Sequence, residues 1–220
     1  MKDYAAVPGE LVNGWQESVE SWPGRKPIRF HYHDVEEWLT VVSGEITFFT
    51  LADTPFRVDV GRSLHIPRGE VHRVEVGSQG VEYRMFLPIA VPTFANKLDE
   101  EELDALRRNL QFPEYEDGPP ENGHEFFKSA LSEKLEFCRA DGKCEGKTEF
   151  LARLSGDGNR SSSGSIQVLN KTDYGLLIST IVQMGKAKQA KWYMNVRFLE
   201  KDGGKLCCRL WVNYPQPVSS

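Results

Sequence analysis

Three histidines and one carboxylate carry the strongest chemical signal in this sequence. His31 and His33 stand two apart, so on a strand both side chains point to one face. Glu37 shares their parity and joins that face if the strand runs on unbroken, whereas Glu36 points away. Asp34 to Glu36 can form a turn or bulge, so parity leaves the choice between the two glutamates open. His72 follows Pro67-Arg-Gly69, a turn that brings the next strand back across the same wall. Neutral imidazoles with a carboxylate suit iron, manganese, nickel, zinc or copper, and affinity alone does not select among them. The same residues in a metal-free chain would line a polar pocket.

These side chains need strands to hold them. Residues 9 to 88 alternate polar and apolar residues and are punctuated by Gly and Pro, with strands predicted at Ile46–Leu51, Phe56–Val60 and Val81–Leu87. Short strands at this spacing suggest a sandwich or barrel. The pattern then changes. Asp99 to Leu110 carries Leu103, Leu106 and Leu110 at helical spacing, acidic first and basic last, as a helix dipole favours. Phe112 to Gly123, with three Pro, two Gly and four acids, reads as a linker or exposed loop. Helices are predicted over Glu125–Leu131 and Lys147–Leu154, with a strand at Leu135–Arg139 between them. A mobile loop is predicted over Ser155–Ser165, and three closing strands at Gly175–Val182, Trp192–Glu200 and Leu206–Tyr214.

At this point a family resemblance becomes specific. His31-Tyr-His33-Asp-Val-Glu-Glu37, six further residues and Gly44 resemble the first motif of the cupin superfamily. Gly61-Arg-Ser-Leu-His-Ile-Pro67-Arg-Gly69-Glu-Val-His72 resembles the second, with 16 residues between Gly44 and Gly61. The resemblance implies a double-stranded β-helix barrel with His31, His33, Glu37 and His72 as metal ligands, and it selects Glu37 over Glu36. The family often has Asn four residues after the last His, where this chain has Val76; that Asn is not a ligand. His65 is expected at the surface and His124 at a helix start. Arg29 shares the parity of His31 and His33 and is a candidate for a substrate carboxylate. Tyr83, on a later strand, is a second candidate for substrate contact.

The C-terminal half resembles the nuclear transport factor two-like, or SnoaL-like, domains in Glu125–Arg139, Gly146–Leu151 and Asn195–Tyr214. This implies an α+β cone around a pocket, which Arg197 and Trp211 would help to line. The expected architecture is an all-β cupin barrel (1–95), a helix and polar linker (96–123) and the SnoaL-like α+β domain (124–220).

Composition narrows the partners. A formal net charge of -5 gives no general attraction to phosphate backbones, so nucleic acid is not expected. No apolar run approaches the roughly 20 residues that span a bilayer, and the first residues lack the apolar core of a secretory signal. Cys138, Cys144, Cys207 and Cys208 are expected as free thiols. These points predict a cytoplasmic protein with no membrane association, acting on a small molecule as a homodimer. The function expected is a metal-dependent cupin enzyme for a small oxygen-rich organic molecule, by isomerase, lyase or dioxygenase chemistry, with Fe, Mn, Ni or Zn as the ion and no catalytic residue assigned. The alternative is a non-catalytic metabolite-binding cupin with a dimerisation domain.

Overall fold

The computed structural model describes residues 1–8, 15–24, 27–88, 95–154, 160–185 and 191–215. The chain divides into two compact units, Met1–Leu98 and Asp99–Ser220.

The first unit is built of strands: β1 (Lys2–Tyr4), β2 (Trp15–Trp22), β3 (Ile28–His33), β4 (Glu37–Thr50), β5 (Pro55–Val58), β6 (Ser63–Ile66), β7 (His72–Pro88) and β8 (Ala95–Lys97). They form one curled antiparallel sheet in the order β1-β6-β4-β7-β3-β8, with β2 added on β7 and β5 on β4. The two long strands hold it together. β7 pairs with β2, β3 and β4, and β4 with β5, β6 and β7. Each of these strands changes inward parity once. On β4 the buried set runs Glu37, Leu39, Val41 and then Ile46, Phe48, Thr50, because the register with β7 shifts on both sides of Gly44. Gly44 has φ 81° and an added Cβ would lie 2.1 Å from the Gly80 carbonyl oxygen, so this crossing requires glycine. Leu39, Val41, Ile46, Phe48, Leu64, Ile66, Val74 and Val81 fill the interior.

The second unit opens with three helices, α1 (Glu100–Leu110), α2 (Phe112–Asp117) and α3 (Pro120–Ala130). Then come β9 (Leu131–Cys138), β10 (Cys144–Glu145), α4 (Lys147–Ala152), β11 (Arg160–Ser162), β12 (Gln167–Thr172), β13 (Gly175–Met184), β14 (Lys191–Asp202) and β15 (Lys205–Pro215). The sheet order is β10-β9-β15-β14-β13-β11, with β12 on β13. The β15–β9 pair is parallel and the others are antiparallel. Asp99 caps α1 in a capping box with Glu102, as the acidic first turn suggested. An aromatic layer joins helices to sheet: Phe112 and Phe137 lie 5.1 and 4.9 Å from Trp211, and Phe127 lies 5.1 Å from Phe150.

Two expectations are corrected here. Phe112–Gly123 is not a linker: α2 and the start of α3 occupy it. Its prolines begin helices rather than break them, since Pro113 and Pro120 sit in first turns, where no N–H is needed. Gly123 is buried where α2 and α3 meet; a Cβ there would lie 2.6 Å from the Tyr115 carbonyl oxygen. Cys138 and Cys144 are not free thiols but a disulfide. The Asp141-Gly142 turn folds β9 and β10 together and makes the two cysteines direct cross-strand partners. Their pairing withdraws the cysteine argument for a reducing compartment. Cys207 and Cys208 are free, as expected. The loop expected over Ser155–Ser165 begins outside the described residues, and its second half contains β11.

Candidate metal centre of the barrel

The three histidines of the sequence pattern come together. His31 on β3 and His72, the first residue of β7, are register partners, and His33 lies two residues on. The ring centroids of His31 and His72 are 4.4 Å apart and those of His31 and His33 4.9 Å. One ligand atom from each of the three lies within 4.8 Å of the others. The turn before His72 is tied to the cluster: the Gly69 N–H donates to the His33 carbonyl at 2.8 Å. Gly69 has φ 76°, a conformation that favours glycine.

The rings are oriented by the backbone. Nδ1 of His31 meets the Arg29 carbonyl and Nδ1 of His72 the Glu70 carbonyl, each at 2.8 Å. A carbonyl only accepts, so each Nδ1 carries the proton and each Nε2 keeps its lone pair for a ligand. Glu37 Oε1 lies 3.0 Å from His33 Nδ1. Both atoms are buried, and neither has an aligned hydrogen-bond partner. A buried imidazole nitrogen and a buried carboxyl oxygen left in contact without an aligned hydrogen bond mark a place where a cation would satisfy both.

The electrostatics agree. Burial lowers the pKa of all three histidines, and His33, with His31 beside it, falls to about 4. The rings are therefore neutral, as ligands must be. Burial, with the Asp34 charge nearby, pushes the Glu37 carboxyl up to about 8. A buried carboxyl beside neutral rings lacks a positive charge, which a divalent ion would supply. The donor set fits a metal.

Glu36 stands elsewhere. Its Oε2 meets His65 Nε2 at 2.9 Å. His65 stacks on Trp38 with ring centroids 4.6 Å apart, so it is a half-buried outer-wall residue rather than a free surface one. Tyr83 is buried in the barrel core, with its pKa raised by burial and by the Glu20 and Glu37 charges. Arg29 does not share the inward face. The β3–β7 register shifts between Ile28 and His31, so parity fails there and Arg29 is exposed. It nevertheless borders a cavity of about 740 Å³ that His31, Trp22, Ile28 and Phe30 also line. Sequence reasoning passed over Asp34, whose Oδ1 is buried without a hydrogen bond close to His33 and Glu37. Its place between the two ligand pairs was the available signal.

In the second unit Arg197 is fully enclosed rather than lining a pocket. Its guanidinium lies 4.4 Å from the Phe112 ring and 4.3 Å from the Trp211 ring. It donates to Asn109 and Asn195. Trp211 does border a cavity.

Residues 18–87, a span that contains every proposed ligand, match the cupin domain family, and the barrel unit carries a cupin domain. No match is found among curated proteins. Several solved structures align in part. A DMSP lyase is 16% identical over 38% of this chain, with a TM-score of 0.34; this chain spans less than half of it, 44%. The polyketide cyclase RemF from Streptomyces resistomycificus is 20% identical, covering 43% of this chain and 68% of its own, with a TM-score of 0.35. A putative Ca/calmodulin-dependent kinase II association domain from Exiguobacterium sibiricum is 15% identical, covering 56% of this chain and 98% of its own, with a TM-score of 0.46.

Proposed function

We propose that the barrel binds one divalent metal ion through His31, His33, Glu37 and His72 and acts on a small oxygen-rich organic acid, by isomerase, lyase or dioxygenase chemistry. The observation that carries this reading is the inward set of lone pairs. Two imidazoles are held in the ligating tautomer by backbone carbonyls, and a third lies 3.0 Å from a buried carboxyl with which it makes no aligned hydrogen bond. An ion bound there would supply Lewis-acid polarisation of a substrate oxygen. The chain's own residues do the rest. The Arg29 and Glu70 carbonyls fix the rings, and Trp22, Ile28 and Phe30 give the cavity beside His31 an apolar wall. Arg29 at the cavity edge offers a fork for a substrate carboxylate. For the second unit, the nuclear transport factor two-like cone remains our reading, supported by helices layered on a sheet that ends in a long hairpin.

Metal analysis of the purified chain, followed by oxygen consumption with candidate acids, tests the proposal. Bound iron with oxygen uptake favours a dioxygenase, and zinc or nickel without it a lyase or isomerase. A chain that takes up no divalent ion on reconstitution overturns the metal assignment. Stoichiometric metal with no turnover of any acid leaves the metabolite-binding alternative.

A further inference from the structure

The Cys138–Cys144 disulfide sits at the edge of the second sheet, where β10 is the outermost strand. The two cysteines are cross-strand partners, so their side chains stand on one face of the hairpin. Glu136 precedes Cys138 by two residues on β9 and shares that face. One ligand atom from each of Glu136, Cys138 and Cys144 lies within 4.8 Å of the others. Glu136 is also uncommitted. Glu145, on the opposite face of the hairpin, is taken up by Arg139 and Arg153. Among the described residues Glu136 meets only the Cys138 sulfur, 3.9 Å from its Oε1.

The bridge is open to chemistry. Cys144 and Glu136 are exposed and Cys138 is half-buried, so a dithiol can reach the sulfurs. Its thiolate attacks one sulfur, the S–S bond breaks, and its second thiol resolves the mixed disulfide. The products are two cysteine thiols and an oxidised reductant, with two electrons and two protons transferred.

The hairpin does not depend on the bridge for its shape. The Arg139 N–H donates to the Lys143 carbonyl and the Gly142 N–H to the Arg139 carbonyl, each at 2.9 Å. The Lys143 N–H donates to Asp141 Oδ1 at 3.0 Å. Gly142 has φ 85°, which suits the turn to glycine. On the other face, Glu145 ties Arg139 of the turn to Arg153. These bonds keep the two thiols opposite each other after reduction. Two thiolates and a carboxylate are a donor set for a thiophilic divalent ion, with water in the fourth position. Binding releases the two thiol protons. Disulfide and metal are then alternative cross-links between the same two sulfurs. We propose that Cys138, Cys144 and Glu136 form a second metal site, for an ion of the zinc type, which opens when a dithiol reduces the bridge and closes when the bridge re-forms.

Cobalt titration of the full chain, reduced with a dithiol and freed of it under argon, tests this. The reduced chain should develop a thiolate-to-cobalt charge-transfer band that zinc abolishes, and the oxidised chain should show none. His72→Ala should keep the band, because the barrel ligands contain no sulfur. Cys207→Ser/Cys208→Ser should keep it too, and Cys138→Ser/Cys144→Ser should lose it. Glu136→Gln should weaken cobalt binding about tenfold. Circular dichroism of the reduced chain should match that of the oxidised chain. The proposal is overturned if reduction unfolds the hairpin unit, or if the folded, reduced chain shows no thiolate band up to about 1 mM cobalt. It is equally overturned if the band survives in Cys138→Ser/Cys144→Ser, is lost in Cys207→Ser/Cys208→Ser or His72→Ala, or is unaffected by Glu136→Gln.

Discussion

Two glutamates, one in each unit, sit in polar clusters and respond in opposite directions. Glu37 lies among neutral imidazoles, and burial drives its carboxyl up to about 8. Burial would push Glu145 up as well, but hydrogen bonds from Arg153 and Arg139 outweigh it and hold the carboxyl below its ordinary value. The barrel cluster is a set of lone pairs that lacks a cation. In the second cluster Arg139, Arg153 and Arg160 stand against Glu145, Glu116 and Asp117, so each carboxylate meets a guanidinium. A buried carboxyl thus reveals, by the direction in which it shifts, whether a cation stands beside it.

The largest effect should come from breaking the lone-pair set. His72→Ala removes a buried ligand fixed by the Glu70 carbonyl. Bound metal should fall about tenfold or more in plasma mass spectrometry of the purified chain. Chelation should lower the thermal midpoint of the wild type but leave the variant unmoved, since an ion at a thousand times its dissociation constant stabilises by about 4 kcal/mol. Equal metal in both proteins would place the ion elsewhere.

The next effect belongs to the second unit. Arg197 is a fully buried cation between Phe112 and Trp211, and burial lowers its pKa to about 10 despite Cys208 and Glu116. Arg197→Ala leaves the acceptors of Asn109 and Asn195 with fewer donors and opens a void in the aromatic layer. A loss of about 3–5 kcal/mol is expected in urea denaturation. Arg197→Lys keeps the charge but loses the planar fork, and should fall between the two. A loss under about 1 kcal/mol for Ala would mean that the layer does not depend on the cation.

Removing the disulfide should cost less. It closes a short loop, with its cysteines six positions apart, for which the chain-entropy argument gives about 2 kcal/mol. Cys138→Ser/Cys144→Ser should therefore lower the denaturation midpoint moderately while leaving barrel metal content unchanged. A change in metal content would deny the independence of the two clusters.

The two sites also differ in how far the sequence revealed them. The three-histidine cluster of the barrel was legible from two strand residues of one parity and from the motif resemblance that joined them to a histidine after a turn; that resemblance, not parity, selected Glu37 over Glu36. Parity chose well at His31 and His33 and failed at Arg29, since it holds only while pairing is regular and the β3 register shifts in between. The second cavity was half legible. Trp211, which the resemblance placed at a pocket, borders one, but Arg197, named with it, is sealed in by Phe112 from a helix that had been read as linker. Arg139, Arg153 and Arg160 come from a turn, a helix C-cap and an edge strand. No sequence period links such places, and only the tertiary fold brings them to one wall. The disulfide had a local signal, a turn between cysteines six apart, whose cross-strand meaning depends on both flanking segments being strands.

The smallest effect tests the opposed glutamates directly. Because the folded pKa of Glu145 lies below its ordinary 4.5, the unfolded chain takes up that proton first as the solution is acidified. The stability contributed by Glu145 is therefore complete above pH 4.5 and is lost as pH falls through the folded value. Glu145→Gln should be about 1 kcal/mol less stable near neutrality and should lose less than wild type on acidification below pH 4.5. Glu37 has the reverse sign in chelated protein. Its folded value of about 8 gives a contribution that is complete below pH 4.5 and lost as pH rises toward 8. Glu37→Gln should remove that alkaline loss and leave the acid limb unchanged. Denaturation midpoints measured from pH 3 to pH 9 separate the two, and difference curves of the same sign for both variants would show that the two carboxyls do not shift in opposite directions.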